Sequence, residues 1–378
     1  MAPLKVLHVL RAPVGGLFRH VVDLTREQIA RGHCVGVIAD SSTGGTRAEE
    51  IFRDLTPRLA LGLTRIPMPR HPGFGDIIAA SHVRRRVKET GADIVHGHGA
   101  KGGVYARLVS GKRAIRAYTP HGGTLVFGDD SLVGKFYFLA ERFLIPRSDL
   151  FLFESTFSAE KFSRKIGNPT GTVRIVHNGV SPEEFEPVTL AADATDLVFM
   201  GELRMLKGVD VLINALASLR EHSRNVSATL IGDGADRASF TAQVERLGFG
   251  NRVRFMPAMP ARKAQTIGRV MVVPSRAESF PYVVLETAAA GKPMIATRVG
   301  GIPEIFGTLS DALVPADDVN ALAAAIARTL DDPGAAEALA QRLRTSVAGA
   351  FTVRTMVDGV MAAYQTALQA AHPAGERR

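Results

Sequence analysis

Two glutamates, Glu278 and Glu286, stand eight positions apart in "SRAESFPYVVLETAAAGKPMIATRVGGIPE", residues 275–304, among aromatic and branched apolar residues. Carboxylates are rarely buried without partners. Sugar hydroxyls are natural partners, because one carboxylate can accept from two of them. A pair of carboxylates could equally supply the acid and base of a glycosidase. A second group is cationic. Arg204 and Lys207 follow Gly201 in "FMGELRMLKGVDVLINAL", just ahead of a long amphipathic segment. Cations at a helix N-terminus oppose the helix dipole, and a bound anion removes the conflict, which marks a candidate diphosphate site. His121, in "AYTPHGGTL", ends an apolar run beside Gly122 and Gly123. Its near-neutral pKa suits hydrogen bonding or proton transfer. His98, in "HGHGAKGG", is similar. Gly15 and Gly16 follow the first apolar run, where bare backbone N–H groups can approach a phosphate. Each signal alone has a plainer reading: a tight turn, a core histidine, a solvated basic loop. A glycosidase needs no diphosphate site, whereas this chain offers two candidates.

The elements that must position these residues alternate. Strand-like runs are "KVLHVL", "CVGVIAD", "DIVHGHG", "AIRAYTPHG", "LFLFES" and "VRIVHNGV", with helical periods between them, as over 18–31 and 76–90. This alternation predicts a doubly wound parallel sheet. Residues 181–196, "SPEEFEPVTLAADATD", have two prolines, an acidic cluster and no period, and read as a linker. A second alternation follows: "DLVFMGEL", "SATLIGDG", "VRFMPA", "RVMVVPS", "KPMIATRV" and "ALVPAD". The expected architecture is α/β, with Rossmann-like domains over 1–185 and 186–358 and a last helix over 359–378 that crosses back to the first. Ligands of such sheets sit outside the carboxyl ends of the strands, which is where the candidate residues fall.

The composition sets bounds. A chain of 378 residues suits two domains. The single cysteine, Cys34, allows no internal disulfide and fits a reducing cytoplasm. No window approaches the ~18 apolar residues of a spanning helix, and the N-terminal apolar run reads as a strand rather than a secretion signal. The net charge of +9 is unevenly spread: residues 1–185 carry 26 Lys+Arg against 17 Asp+Glu, and the remainder carries 20 of each. A basic half suggests an anionic partner. Arg84, Arg85, Arg86 and Lys88 share a helical segment with Ile77, Ile78, Val83 and Val87; a basic amphipathic helix of this kind points to a membrane surface. "GKFYFLAERFL" adds aromatics. The neutral second half lacks aromatic–basic interleaving, which argues against nucleic acid. "GDGADRAS" lacks the third glycine of a dinucleotide fingerprint.

Taken as a set, these segments resemble the retaining glycosyltransferases of family 4. "ESFPYVVLE" is similar to their E-x7-E motif, and "VGGLFRHVVDLTREQIARGHCVGVIA", "TPHGG", "VHNGV", "GELRMLKGVDVLINAL" and "LIGDG" follow the family's order and spacing across nearly the whole chain. The resemblance implies the GT-B fold, two Rossmann-like domains whose parallel sheets face a central cleft. It implies transfer of a sugar from a nucleotide diphosphate, UDP first and GDP-mannose second, to an acceptor hydroxyl, with a lipid-linked glycan as the expected acceptor. It implies no metal and no cofactor. By position, Glu286 matches the glutamate that holds the ribose, and Glu278 the one by the donor sugar. Ser279 and Phe280 lie in the loop whose amides face that sugar. Lys207 matches the diphosphate lysine, Gly16 the phosphate loop, and His121 the histidine at the reacting sugar. The cationic helix would bring the enzyme to the cytoplasmic leaflet, where lipid-linked acceptors lie. Two positions depart from the pattern. Glu202 stands where the family has arginine, and Arg204 is expected to take that role. Pro281 replaces a frequent glycine and removes one backbone N–H. Two other readings stay open: a UDP-sugar 2-epimerase on the same fold, and a non-catalytic sugar-nucleotide binder.

Overall fold

The computed structural model describes residues 2–111, 114–126, 128 and 131–371. Contacts divide the chain into two units, Met1–Asn178 with Val353–Arg378, and Gly179–Thr352.

The first unit runs β1 (Lys5–Leu10), α1 (Gly15–Ala30), β2 (Cys34–Asp40), α2 (Gly45–Leu55), β3 (Leu63–Ile66), α3 (Phe74–Thr90), β4 (Ile94–His98), α4 (Gly99–Arg107), β5 (Ile115–Thr119), α5 (Leu132–Leu144), β6 (Leu150–Phe153), α6 (Thr156–Lys165) and β7 (Thr172–Ile175). Its strands form one parallel sheet in the order β3-β2-β1-β4-β5-β6-β7. Order reverses between β1 and β4, the place where a doubly wound sheet opens to ligand. Strand β3 lies at the edge and was not expected. It is only four residues long, and "LTRI" carries neither a clean alternation nor a continuous apolar run.

The second unit runs β8 (Thr195–Met200), α7 (Val209–Glu221), β9 (Ala228–Ile231), α8 (Arg237–Arg246), β10 (Val253–Met256), α9 (Ala261–Thr266), β11 (Gly268–Val273), α10 (Tyr282–Ala289), β12 (Met294–Ala296), α11 (Ile302–Phe306), α12 (Val319–Asp331) and α13 (Pro333–Ala350). Its parallel sheet has the order β10-β9-β8-β11-β12. The expected sixth strand, "ALVPAD", is reduced to a single bridge between Thr297 and Val314, because the three-residue β12 gives it no ladder to extend. Apolar residues of α7 and α12 cover one face, with Leu212, Leu216 and Ile326 almost fully enclosed. Those of α10 and α13 cover the other, around Leu285, Ala288 and Val347.

The last helix, α14 (Val353–Ala371), belongs to the first unit. Met356, Val357, Val360 and Tyr364 pack with Val6, Ile94 and Ile115 of that sheet. The boundaries fall a few residues before the expected 185 and 358. Val180 N donates to Phe351 O at 2.9 Å, which ties together the segments by which the chain enters and leaves the second unit. The prolines of 181–196 lie past that point.

Candidate active site

In the second unit the loops after the neighbouring strands β8 and β11 are fastened together. Arg276 forms a two-pronged pair with Asp210 at the start of α7, both contacts at 2.7 Å, and reaches Asp317 at 2.6 Å. Bidentate carboxylate pairing fixes geometry as well as charge, and it holds the guanidinium pKa above its ordinary value. Arg276 N donates to Leu206 O at 2.9 Å. Gly208, at φ +68°, lets this approach happen: a Cβ there would stand 1.9 Å from Pro274 O. Gly300 is just as constrained, since its Cβ would stand 1.7 Å from Glu278 O.

This frame presents Lys207 to Glu278, with Nζ 2.6 Å from Oε1. Ser275 Oγ donates to the same oxygen at 2.7 Å. Glu278 is 9 % exposed and Lys207 26 %, so the pair is open enough to exchange partners. Glu286 is buried on α10, one helix beyond. Ser279 contributes its carbonyl to Gly301 N at 2.9 Å, and Phe280 is buried edge-on against Phe351. Arg204 remains at the surface, its nearest carboxylate Glu202 at 3.6 Å. The structure thus joins Lys207 and Glu278 directly and leaves Arg204 outside the pair.

In the first unit the carboxyl ends of β1, β4 and β5 converge. Gly15 and Gly16 open α1 with exposed backbone, and Val14 supplies no side-chain cap, so first-turn N–H groups stay available to an anion. His121 follows β5 at φ +50°, and its Nδ1 lies 3.0 Å from Glu154 Oε1 at the end of β6. Its Nε2 lies 3.1 Å from His98 Nδ1. His98 Nε2 lies 3.0 Å from His8 Nδ1, and His8 Nε2 lies 2.9 Å from Gln28 Oε1. His96, opposite His8 in register, contacts Tyr364 Oη at 2.7 Å and Thr119 Oγ1 at 2.8 Å. His20 on α1 contacts Asn178 Oδ1 at 3.0 Å. Burial is the main reason that His8, His20, His96 and His98 resist protonation. It lowers His8 to about 4 and holds His20, His96 and His98 well below the usual histidine value, with neighbouring histidines adding repulsion. Of this five-histidine cluster the sequence pointed to His121 and His98. His8, His20 and His96 were hidden inside apolar runs. The one available signal was "HGH", whose i, i+2 spacing puts His96 and His98 on the same face of a strand.

The cationic helix differs from expectation in two ways. Val83 and Val87 pack into the core, whereas Ile77 and Ile78 are exposed. Arg86 is half-buried and donates to Leu61 O at 2.9 Å and Glu89 at 2.8 Å, so it is a structural residue and not a free surface cation. Arg84, Arg85 and Lys88 are exposed, with Arg85 paired to Glu89 at 2.7 Å.

A family model described as Glycosyltransferase Family 4 matches residues 14–184, and one described as Glycosyl transferases group 1 matches residues 180–346. The chain is a family 4 glycosyltransferase. It is 29 % identical to D-inositol 3-phosphate glycosyltransferase 1 of Catenulispora acidiphila over 359 residues, which covers 89 % of this chain and 82 % of the relative. Among solved structures, sucrose-phosphate synthase from Thermosynechococcus elongatus superposes with a TM-score of 0.81 at 23 % identity, covering 97 % of this chain and 100 % of that one. Anabaena HepE in complex with UDP gives 0.75 at 18 % identity, covering 96 % and 100 %. The structural likenesses establish that this glycosyltransferase has the GT-B fold.

Proposed function

We propose that this glycosyltransferase moves a sugar, with retention at the anomeric carbon, from a nucleotide diphosphate sugar to an acceptor hydroxyl on a lipid-linked glycan. UDP is the favoured nucleotide, on the family resemblance and on the UDP held by the Anabaena protein; GDP-mannose is second. The observation that carries the reading is the Lys207–Glu278 contact at 2.6 Å on the fastened loops, with buried Glu286 eight residues on. A diphosphate competes with Glu278 for the ammonium. As Lys207 turns to it, Glu278 is released to accept hydroxyls of the transferred sugar, and Glu286 accepts those of the ribose. When the bond from the anomeric carbon to the phosphate oxygen breaks, charge grows on the diphosphate, where a fixed cation lowers the barrier. The family resemblance assigns His121, held by Glu154, to the transferred sugar. Arg204 completes the phosphate contacts by moving away from Glu202.

The acceptor reading draws on α5. Leu132, Phe136, Leu139 and Phe143 recur at helical spacing along its outer face and are each more than half exposed. Helices α3 and α5 both pack on α4, so exposed Phe74, Ile77 and Ile78 lie in the same layer. An apolar stripe with Lys135 and Arg142 beside it suits the interface of an anionic leaflet. Among the described residues no helix is long and apolar enough to cross a membrane, so contact would be peripheral.

The test is conversion of UDP-sugars with and without a polyprenyl-diphosphate-linked acceptor, followed by assignment of the new anomeric linkage. Acceptor-dependent release of UDP with retained configuration supports the proposal. An inverted linkage, or turnover of the UDP-sugar to its 2-epimer without acceptor, overturns it.

A further inference from the structure

We propose that His20, His98 and His121 form a binding site for one divalent metal ion of the zinc class, and that its occupancy silences sugar transfer. The argument is one of lone pairs. Gln28 Oε1 accepts from His8 Nε2, so neutral His8 carries its proton there and presents a lone pair at Nδ1. His98 Nε2 must donate to that lone pair across 3.0 Å, which leaves a lone pair on His98 Nδ1. From the other side, the Glu154 carboxylate accepts from His121 Nδ1 at 3.0 Å, and the neutral ring in that tautomer has its lone pair on Nε2. His98 Nδ1 and His121 Nε2 face one another at 3.1 Å. His20 Nδ1 donates to Asn178 Oδ1, and its buried Nε2 has no hydrogen-bond partner. One nitrogen from each of the three rings lies within 4.8 Å of the others. With all three rings neutral, the facing His98 and His121 lone pairs and the unpartnered His20 Nε2 offer a cation three nitrogen ligands.

A proton can bridge two of these nitrogens, but not three. A zinc-class ion reaches all three, because tetrahedral bonds of about 2.0–2.1 Å place neighbouring ligand nitrogens roughly 3.3 Å apart. The surroundings match those of metal-binding histidines elsewhere, whose other ring nitrogen donates to a carboxylate or carbonyl that fixes the tautomer. Here Glu154 and Asn178 fill those places. Glu154 is 3 % exposed at its side chain and its Oε2 has no partner, so it too calls for positive charge. The neighbouring trio His8, His96 and His98 also meets the distance condition, but both nitrogens of His96 are already engaged by Tyr364 and Thr119. Imidazole ligands suit zinc, copper, cobalt and nickel over magnesium or calcium.

The experiment uses the tag-free full chain, stripped with a chelator and titrated with Co²⁺. Binding is read from the visible bands of tetrahedral cobalt and then from their loss on adding Zn²⁺. One equivalent is expected, absent in His20→Ala and roughly 10–100-fold weaker in Glu154→Gln. If His20→Ala fails to fold by circular dichroism, Glu154→Gln alone decides. No stoichiometric binding, or equal binding in the folded variant, overturns the site. Inhibition, though not binding, rests on His121 acting in sugar transfer. Zn²⁺ should abolish turnover and a chelator restore it; metal bound at these residues with turnover unchanged overturns the inhibitory role and that assignment of His121, while the site stands.

Discussion

Helix α5 hangs on one buried ion pair, and removing its acid tests how the first unit is held together. Arg107 of α4 is fully enclosed, and its Nη2 lies 2.7 Å from Glu141 Oε2 of α5. Tyr118 Oη donates to the other oxygen at 2.8 Å, its ring 3.9 Å under the guanidinium. Arg107 Nη1 already lacks a partner. In Glu141→Leu the guanidinium keeps only Gly103 O at 2.9 Å and the face of Tyr118. Stranding a buried charge costs about 3–5 kcal/mol, and the tyrosine face offsets none of it, because Arg107 already makes that contact in the parent. For a unit of about 200 residues, each kcal/mol lowers Tm by roughly 2–4 °C, so the variant should melt about 6–20 °C lower. Melting is followed by far-ultraviolet circular dichroism and scanning calorimetry, since the chain has no tryptophan. The double variant Arg107→Met with Glu141→Leu should recover most of the loss, because apolar replacement of a whole buried pair is often neutral. A single variant within about 2 °C of the parent, or a double variant as unstable as the single, would refute the reasoning.

Two more outcomes are expected. Serine at Leu132, Phe136, Leu139 and Phe143 should abolish co-sedimentation with anionic liposomes while leaving Tm within a few degrees, since these side chains face solvent; undiminished binding would move the lipid contact elsewhere. Lys292 is 7 % exposed and burial lowers its pKa from 10.5 to about 8, a cost of about 3 kcal/mol to the folded state near neutral pH. As pH rises from about 8 to 10.5 the unfolded chain holds a proton that the folded one has shed, so stability rises. Lys292→Met should therefore be more stable than the parent near pH 7, with the gap closing toward pH 10; a gap independent of pH would contradict this.

The parallel sheets were legible because their strands are continuous apolar runs bounded by glycine-rich turns, the pattern of strands buried on both faces. "LTRI" and "ALVPAD" misled in opposite directions, since edge pairing depends on which neighbour is present rather than on composition. Lys207 and Glu278 could be named from their motifs, but their contact could not. It depends on Arg276 gripping Asp210, and an arginine in "PSRAES" reads as one more loop cation. Arg86 was misjudged for the same reason: four cations in a row look equivalent until Leu61 O and Glu89 claim one of them. His121 and His98 were marked by their motifs, but their convergence with His8, His20 and His96 was not, because these meet across β1, α1 and β4, where sequence spacing carries no information.

The most direct test is calorimetric titration of the purified enzyme with UDP and with GDP, repeated on Lys207→Ala and Glu286→Ala. Micromolar binding of one nucleotide, weakened at least tenfold in both variants, about 1.4 kcal/mol or more for each, is the predicted result. Binding of neither nucleotide, or binding that both variants retain, would contradict the placement of the donor on this frame.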